Sequence, residues 1–210
     1  MSARAGWGTY ALKPWFVGRL RSLEDALVRR RVPPDHVTIA AVVVSVLAGA
    51  ALAFGAGLHQ PLIWLAVPPL VVMRLALNAL DGSIARRTGT ARPFGLVVNE
   101  VSDRVCDAAT IGALAWVTPP SLAIGAVASA FFVSTIGLLG SSLGGTRLTL
   151  GPMGKSDRAL VIAVAAAAAA ITESPRAFEV ASLVIIAGCA VTAVRRVRFL
   201  RREVAVDAVR

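Results

Sequence analysis

The chain is 210 residues long, 56% hydrophobic and only 16% charged, a balance that excludes an ordinary soluble globule. Its formal charge of +10, from 22 Lys and Arg against 12 Asp and Glu, directs an apolar chain toward anionic lipid head groups or phosphorylated substrates and away from nucleic acid. The two cysteines, Cys106 and Cys189, lie inside apolar stretches, which excludes a secreted disulfide scaffold.

From the N-terminus, residues Trp15 to Arg31 predict a helix with Phe16, Leu20, Leu23 and Leu27 at three- and four-residue spacing and arginines elsewhere. Such a helix lies in a membrane interface, and a positively charged flank that fixes topology explains the same residues. Pro33 and Pro34 end it. Six apolar spans of the length needed to cross a bilayer follow. They run from His36 to Leu58, from Pro61 to Leu80, through a third that ends in Ala108 to Val117, then from Ser121 to Leu139, Ala159 to Ile171 and Phe178 to Val194. The expected fold is an all-α integral membrane protein with six transmembrane helices and an N-terminal interfacial amphipathic helix. Residues 1–35 form a cytoplasmic N-terminal segment, 36–194 the six-helix membrane domain and 195–210 a basic cytoplasmic tail.

Positive charge sets the orientation. Arg86, Arg87 and Arg92 follow the second span, Arg147, Lys155 and Arg158 follow the fourth, and a cluster from Arg195 to Arg202 follows the sixth. The opposite side holds Arg176. Both termini are therefore expected in the cytoplasm, in a multi-pass protein of the cell (inner) membrane. Gly140 and Gly144 have the close-packing spacing of touching transmembrane helices and serve either a homodimer interface or packing within one chain.

Ionisable residues gather where polar groups are costly, at the cytoplasmic ends of the second and third spans. On a continuing helix Arg74, Asn78, Asp81 and Ala85 share one face. On a third helix starting near Pro93, Asn99, Glu100, Asp103 and Asp107 fall within an arc of about 100°. The short connection Gly82 to Arg92 makes the two helices neighbours, so Asp81, Glu100, Asp103 and Asp107 are expected to converge. Two remedies exist for their charge: pairing with Arg74, Arg86 and Arg104, or a divalent cation with oxygen ligands such as Mg²⁺ or Mn²⁺.

The run Asp81-Gly82-Ser83-Ile84-Ala85-Arg86, then eight residues, Gly95, three residues, Asn99, three residues and Asp103 closely resembles the signature of the CDP-alcohol phosphatidyltransferase family. That pattern is D-x2-D-G-x2-A-R-x8-G-x3-D-x3-D, and every spacing is met. Asn78 and Asn99 stand where the family has its first and third aspartates, which are metal ligands there. The resemblance implies a divalent centre of Mg²⁺ or Mn²⁺, with two metal ions in the family's arrangement. Asp81 is then a metal ligand, and Asp103 is both a ligand and the base that takes the acceptor's proton. Gly82, Ala85, Arg86 and Gly95 form the nucleotide site. Glu100 and Asp107 are expected to replace the charge lost at Asn78 and Asn99 in a rearranged centre.

The activity so implied belongs to phospholipid biosynthesis. A phosphatidyl or substituted phosphoryl group passes from a CDP-linked donor, CDP-diacylglycerol in the usual bacterial case, to an acceptor alcohol, and CMP leaves. Ala85-Arg86-Arg87-Thr88-Gly89 also resembles the branch whose CDP-linked donor is soluble. The alternative is a non-catalytic protein of the same fold that lost metal through Asn78 and Asn99. The expected partners are membrane lipids, the donor and the acceptor alcohol, with no nucleic acid.

Arg74, one turn before Asn78, needs a phosphate or carboxylate partner. At the head of the fifth span, Gly151 to Arg158 offers free backbone N–H groups beside Lys155 and Arg158. The segment is either an anion site for a phosphate on the acceptor or donor, or a polar helix cap. It is not a nucleotide-binding P-loop, because no glycine stands five residues before Gly154.

Overall fold

The computed structural model of the protein describes residue 16, residues 18–142 and residues 148–207. Among the described residues there is no strand, and these α-helices follow one another: α1 (Arg21–Arg29), α2 (Pro34–Gly57), α3 (Val67–Arg87), α4 (Pro93–Gly112), α5 (Pro120–Ser142), α6 (Lys155–Thr172) and α7 (Arg176–Asp207). A 3₁₀ turn at Pro61–Ala66 leads into α3, and another at Ala113–Trp116 follows α4.

Proline marks the helix starts. Pro34, Pro93 and Pro120 open α2, α4 and α5, and Pro68 and Pro69 lie in the first turn of α3. Proline costs nothing there, because the first turn has no intrahelical acceptor for its missing N–H and its fixed φ is already helical. Helix α6 starts differently. The carboxylate of Asp157 turns back to accept from the backbone N–H of Gly154 at 2.8 Å, which satisfies a donor that the helix start leaves over.

Four segments are long and apolar enough to cross a membrane: Pro34–Gly57, Pro61–Arg87, Pro120–Ser141 and Arg176–Arg202. The protein is therefore multi-pass. Helices α4 and α6, which contain the third and fifth predicted spans, fall outside that set. Glu100, Asp103, Arg104 and Asp107 interrupt α4, and Lys155, Asp157 and Arg158 occupy the first turn of α6. Helix α7 runs unbroken for 32 residues to Asp207, so most of the basic tail continues the last span as helix.

The outward surface is apolar: Ile39, Phe54, Phe132, Val164 and Ile171 are exposed by 59 to 79%. Inside, small residues let backbones approach, as membrane helices require in the absence of a hydrophobic force between them. Ala126, Ala130, Ala163, Ala166, Ala169 and Ala181 are all buried. Gly49 of α2 meets α4 so closely that a Cβ there would lie 2.3 Å from the carbonyl oxygen of Ala109. Toward the other end Trp64 packs edge-on against Phe178 at 5.1 Å and donates its indole N–H to the Leu52 carbonyl. Helix α2 packs on α3 and α4, and α7 packs on α5 and α6.

Two further contacts position the site. The guanidinium of Arg196 donates to the carbonyls of Leu150 at 2.9 Å and Val133 at 2.6 Å, which ties the segment before α6 to α5 and α7. Leu20, Leu27 and Val28 pack around Val37, Leu80 and Ile84, so part of the apolar side of α1 covers the end of α3. Glu24, on the same helix, is buried and accepts from Ser83 at 2.6 Å. Trp15, Gly144 and Arg147 lie outside the described residues.

Candidate active site

Four helices, α2, α3, α4 and α6, meet at the charged end of the bundle. Asp81 on α3 is 6% exposed. Thr38 on α2 donates its hydroxyl to Asp81 Oδ2 at 3.0 Å, and the backbone N–H of Gly82 donates to Oδ1 at 2.6 Å. Asp103 on α4 is 1% exposed. Its Oδ1 accepts from the Asn78 amide at 3.3 Å and its Oδ2 from the Lys155 ammonium at 2.8 Å. The motif residues of α3 and α4 and the first residue of α6 are thereby brought together.

One turn deeper, Asp107 stands between two guanidiniums. Arg74 donates to its Oδ1 at 3.0 Å and Arg158 to its Oδ2 at 2.6 Å, with all three side chains 2% exposed or less. Arg158 also donates to the Met153 carbonyl at 3.3 Å. Glu100 pairs along its own helix with Arg104 at 3.5 Å.

The four carboxylates therefore do not converge. Among the described residues no group of three or more His, Cys, Asp or Glu is placed to hold a metal ion. The physical reason is that α6 inserts Arg158 beside Asp107, where α3 also presents Arg74, and a carboxylate buried at that depth takes the nearest cations. Two expectations change with this. Asp107 has both oxygens committed to guanidiniums, and Arg158 points into the bundle instead of standing free beside a helix N-terminus. Lys155 likewise turns onto Asp103, and Asp157 fills the Gly154 donor.

The motif glycines have no packing reason inside the chain. A Cβ on Gly82 would meet the Arg86 guanidinium at 3.4 Å, and one on Gly95 the Arg92 side chain at 3.5 Å, both ordinary contacts with movable groups. Ala85 is half-buried and Arg86 exposed. Asn99 lies one turn before Asp103 on α4 and is half-buried.

Thr38 and Glu24 were missed as site neighbours. The signal for Thr38 was a hydroxyl one turn into an apolar span, and for Glu24 a single acid on a helix face next to apolar residues. Arg196, read from sequence as part of a topology cluster, is buried and structural.

No family model matches the chain. The inner membrane protein YnbA of Escherichia coli is 35% identical over 164 residues, 77% of this chain and 80% of that protein. The phosphatidylinositol phosphate synthase of Mycobacterium marinum is 35% identical over 97 residues, 45% of this chain and 38% of that enzyme. The chain thus matches about two fifths of that synthase's length. Among solved structures, the phosphatidylinositol phosphate synthase PgsA1 of Mycobacterium tuberculosis with CDP-DAG bound has a TM-score of 0.68 at 21% identity, covering 84% of this chain and 90% of that one. Its complex with manganese and citrate gives 0.69 over 84% and 86%. At that identity the likeness is one of fold. With the Asp81 to Asp103 spacing carried on two neighbouring helices of that fold, and a relative matched over most of both chains, the protein belongs to the CDP-alcohol phosphatidyltransferase family.

Proposed function

We propose that the protein transfers a phosphatidyl group from CDP-diacylglycerol to an acceptor alcohol at the cytoplasmic face of the inner membrane, releasing CMP. The observation that carries this reading is the placement of two buried motif carboxylates, Asp81 and Asp103, on facing helices with the Lys155 ammonium 2.8 Å from Asp103. The relatives supply the donor class: synthases of phosphatidylinositol phosphate, one of them solved with CDP-DAG and with manganese.

In the proposed reaction the acceptor hydroxyl attacks the phosphorus that bears the diacylglycerol. The bond from that phosphorus to the CMP oxygen breaks, and CMP leaves with the electron pair. Asp103 takes the hydroxyl proton. Lys155, at the same carboxylate, meets negative charge that develops on the transferred phosphate. Arg86 is exposed beside Gly82 and pairs with the donor's pyrophosphate, and Gly82 and Gly95 leave room for the nucleotide against the backbone.

The donor set fits a divalent cation. Asp81 and Asp103 provide carboxylate oxygens and Asn78 and Asn99 amide oxygens, a hard, all-oxygen set suited to Mg²⁺ or Mn²⁺. When bound, the ion supplies charge neutralisation on the pyrophosphate. Asp107 and Glu100, held by arginines, stay outside that set.

The reading also takes α4 and α6 as spans, which makes six with the four that hydropathy alone selects. Their charges face partners within the bundle. Both termini are then cytoplasmic, with α1 at the interface. Purified protein in lipid vesicles with CDP-diacylglycerol and a lipid-precursor alcohol mixture tests the function by CMP release. Metal-dependent release that falls by about 10² or more in Asp103→Asn is expected. No release with any CDP-alcohol, or full activity in Asp103→Asn, overturns it.

A further inference from the structure

We infer that Glu24 of α1 is a positioning residue for the donor nucleotide, acting through the end of α3. Under the proposed function Gly82, Ala85 and Arg86 take the CDP head of the donor, and on that reading Glu24 sets where they stand. On a helix at about 100° per residue, Ser83 and Arg87 share one face of α3 and lie on the side away from Asp81 and Ala85. Helix α1 covers that rear face. Glu24 is 4% exposed, and its Oε1 accepts from the Ser83 hydroxyl at 2.6 Å and lies 3.3 Å from the Arg87 guanidinium. A carboxylate is buried only where such bonds hold it, and a hydroxyl bond of that length to a charged oxygen is a strong one.

The last turn of a helix ordinarily frays, because its carbonyls have no intrahelical donors. In α3 that turn carries Ala85 and Arg86, and it is held twice. At its end Gly89 takes φ +68°, and the N–H groups of Gly89 and Thr90 return to the carbonyls of Arg86 at 3.4 Å and Ala85 at 3.0 Å, a closure that favours glycine. From behind, Glu24 bonds Ser83 and pairs with Arg87. Apolar packing does not fill the seam there: beside this bridge a cavity of about 490 Å³, lined by Arg21, Glu24, Asp25, Ser83 and Arg87, stays open. Asp25 also meets Arg87, but that pair is about half exposed and holds little. Glu24 is therefore the polar group that ties α1 to the turn bearing the nucleotide residues.

The test is calorimetric binding of CDP to the full chain in lipid nanodiscs with Mn²⁺ present, with KM for CDP-diacylglycerol and kcat measured on the same samples. Glu24→Ala should weaken CDP binding by about ten-fold, the loss seen when a partner that orients a binding group is removed, and should raise KM with little change in kcat. Ser83→Ala should do the same, and the double variant no more than either, because both remove one bond. Ser83→Ala carries the test where Glu24→Ala does not fold. Glu24→Gln keeps an acceptor for Ser83 without the charge and should restore most of the affinity. Trp64→Leu, destabilised far from the site, should leave CDP affinity unchanged. Equal CDP affinity in the unaltered chain and in Glu24→Ala overturns the inference and leaves the proposed function standing, whereas no CDP binding by the unaltered chain overturns both. A loss in Glu24→Gln as large as that in Glu24→Ala overturns the role given to the Ser83 bond.

Discussion

Arg158 and Asp107, 51 residues apart in sequence, meet at 2.6 Å with side chains 2% and 1% exposed. Arg74 completes the set from the other oxygen. Three of the helices that build the site, α3, α4 and α6, are tied at one carboxylate a turn below the motif. That carboxylate does the holding, and the proposed function leaves the chemistry to Asp81 and Asp103 above it.

Asp107→Ala should leave two buried guanidiniums without a counter-charge and destabilise the fold by about 3–5 kcal/mol. Arg74→Met should cost less, because the Arg158 contact remains, and Arg158→Met should fall between the two, because it also removes the bond to Met153. Thermal unfolding in detergent gives the order. Equal effects from the three variants would mean that the set does not act as one unit.

Thr38→Val removes the hydroxyl donor to Asp81 while keeping the shape of the side chain. Loss of an orienting partner of this kind lowers activity by about 10–100-fold, with about 1 kcal/mol of stability. Thr38→Ser should restore most of the activity. Steady-state CMP release beside a melting curve separates the two effects.

Gly49→Leu forces α2 from α4, since even a Cβ would stand 2.3 Å from the Ala109 carbonyl. Overpacking of this kind costs about 1–3 kcal/mol. Because α2 carries Thr38 and α4 carries Asp103, activity should fall further than in an equally destabilised variant remote from the site, such as Trp64→Leu. Matched melting temperatures with matched activities would contradict this.

Glu24→Ala removes the partner of Ser83 and one of the two carboxylates near Arg87. The expected result is faster trypsin cleavage at Arg21, Arg29 and Arg30 in inverted membrane vesicles, with α1 less firmly seated. Asp25→Ala should change cleavage little, because its pair with Arg87 is about half exposed on both sides. Cleavage unchanged in Glu24→Ala would show that the apolar contacts of Leu20, Leu27 and Val28 suffice.

Much of the architecture was legible because proline and apolar runs act locally. Pro34, Pro93 and Pro120 fall at helix starts for reasons internal to one turn, and the four most apolar spans need no partner to be seen. The facing of Asp81 and Asp103 followed from helical periodicity and a short connection. What escaped notice depends on long-range geometry. The capture of Asp107 by Arg158 requires knowing that α6 packs against α4, and the burial of Arg196 requires Gly137 to leave it room. Neither fact is written in the residues adjoining them. The same cause misled the reading of four converging carboxylates, where periodicity placed Asp107 on the correct face but could not say which cation arrives there.

Helix α4 has two sides of opposite character. Phe94, Val97, Val101 and Val105 form an exposed apolar stripe, 42 to 65% accessible, on the side away from Asp103 and Asp107. One helix is therefore both the wall that lipid touches and the wall that carries the charged motif. Under the proposed function, a donor whose acyl chains stay among lipid tails would reach such a motif by sliding along the bilayer around the edge of α4, and a water-borne acceptor would descend from the aqueous side. Under that reading the two reactants would share no solvent until they shared the site.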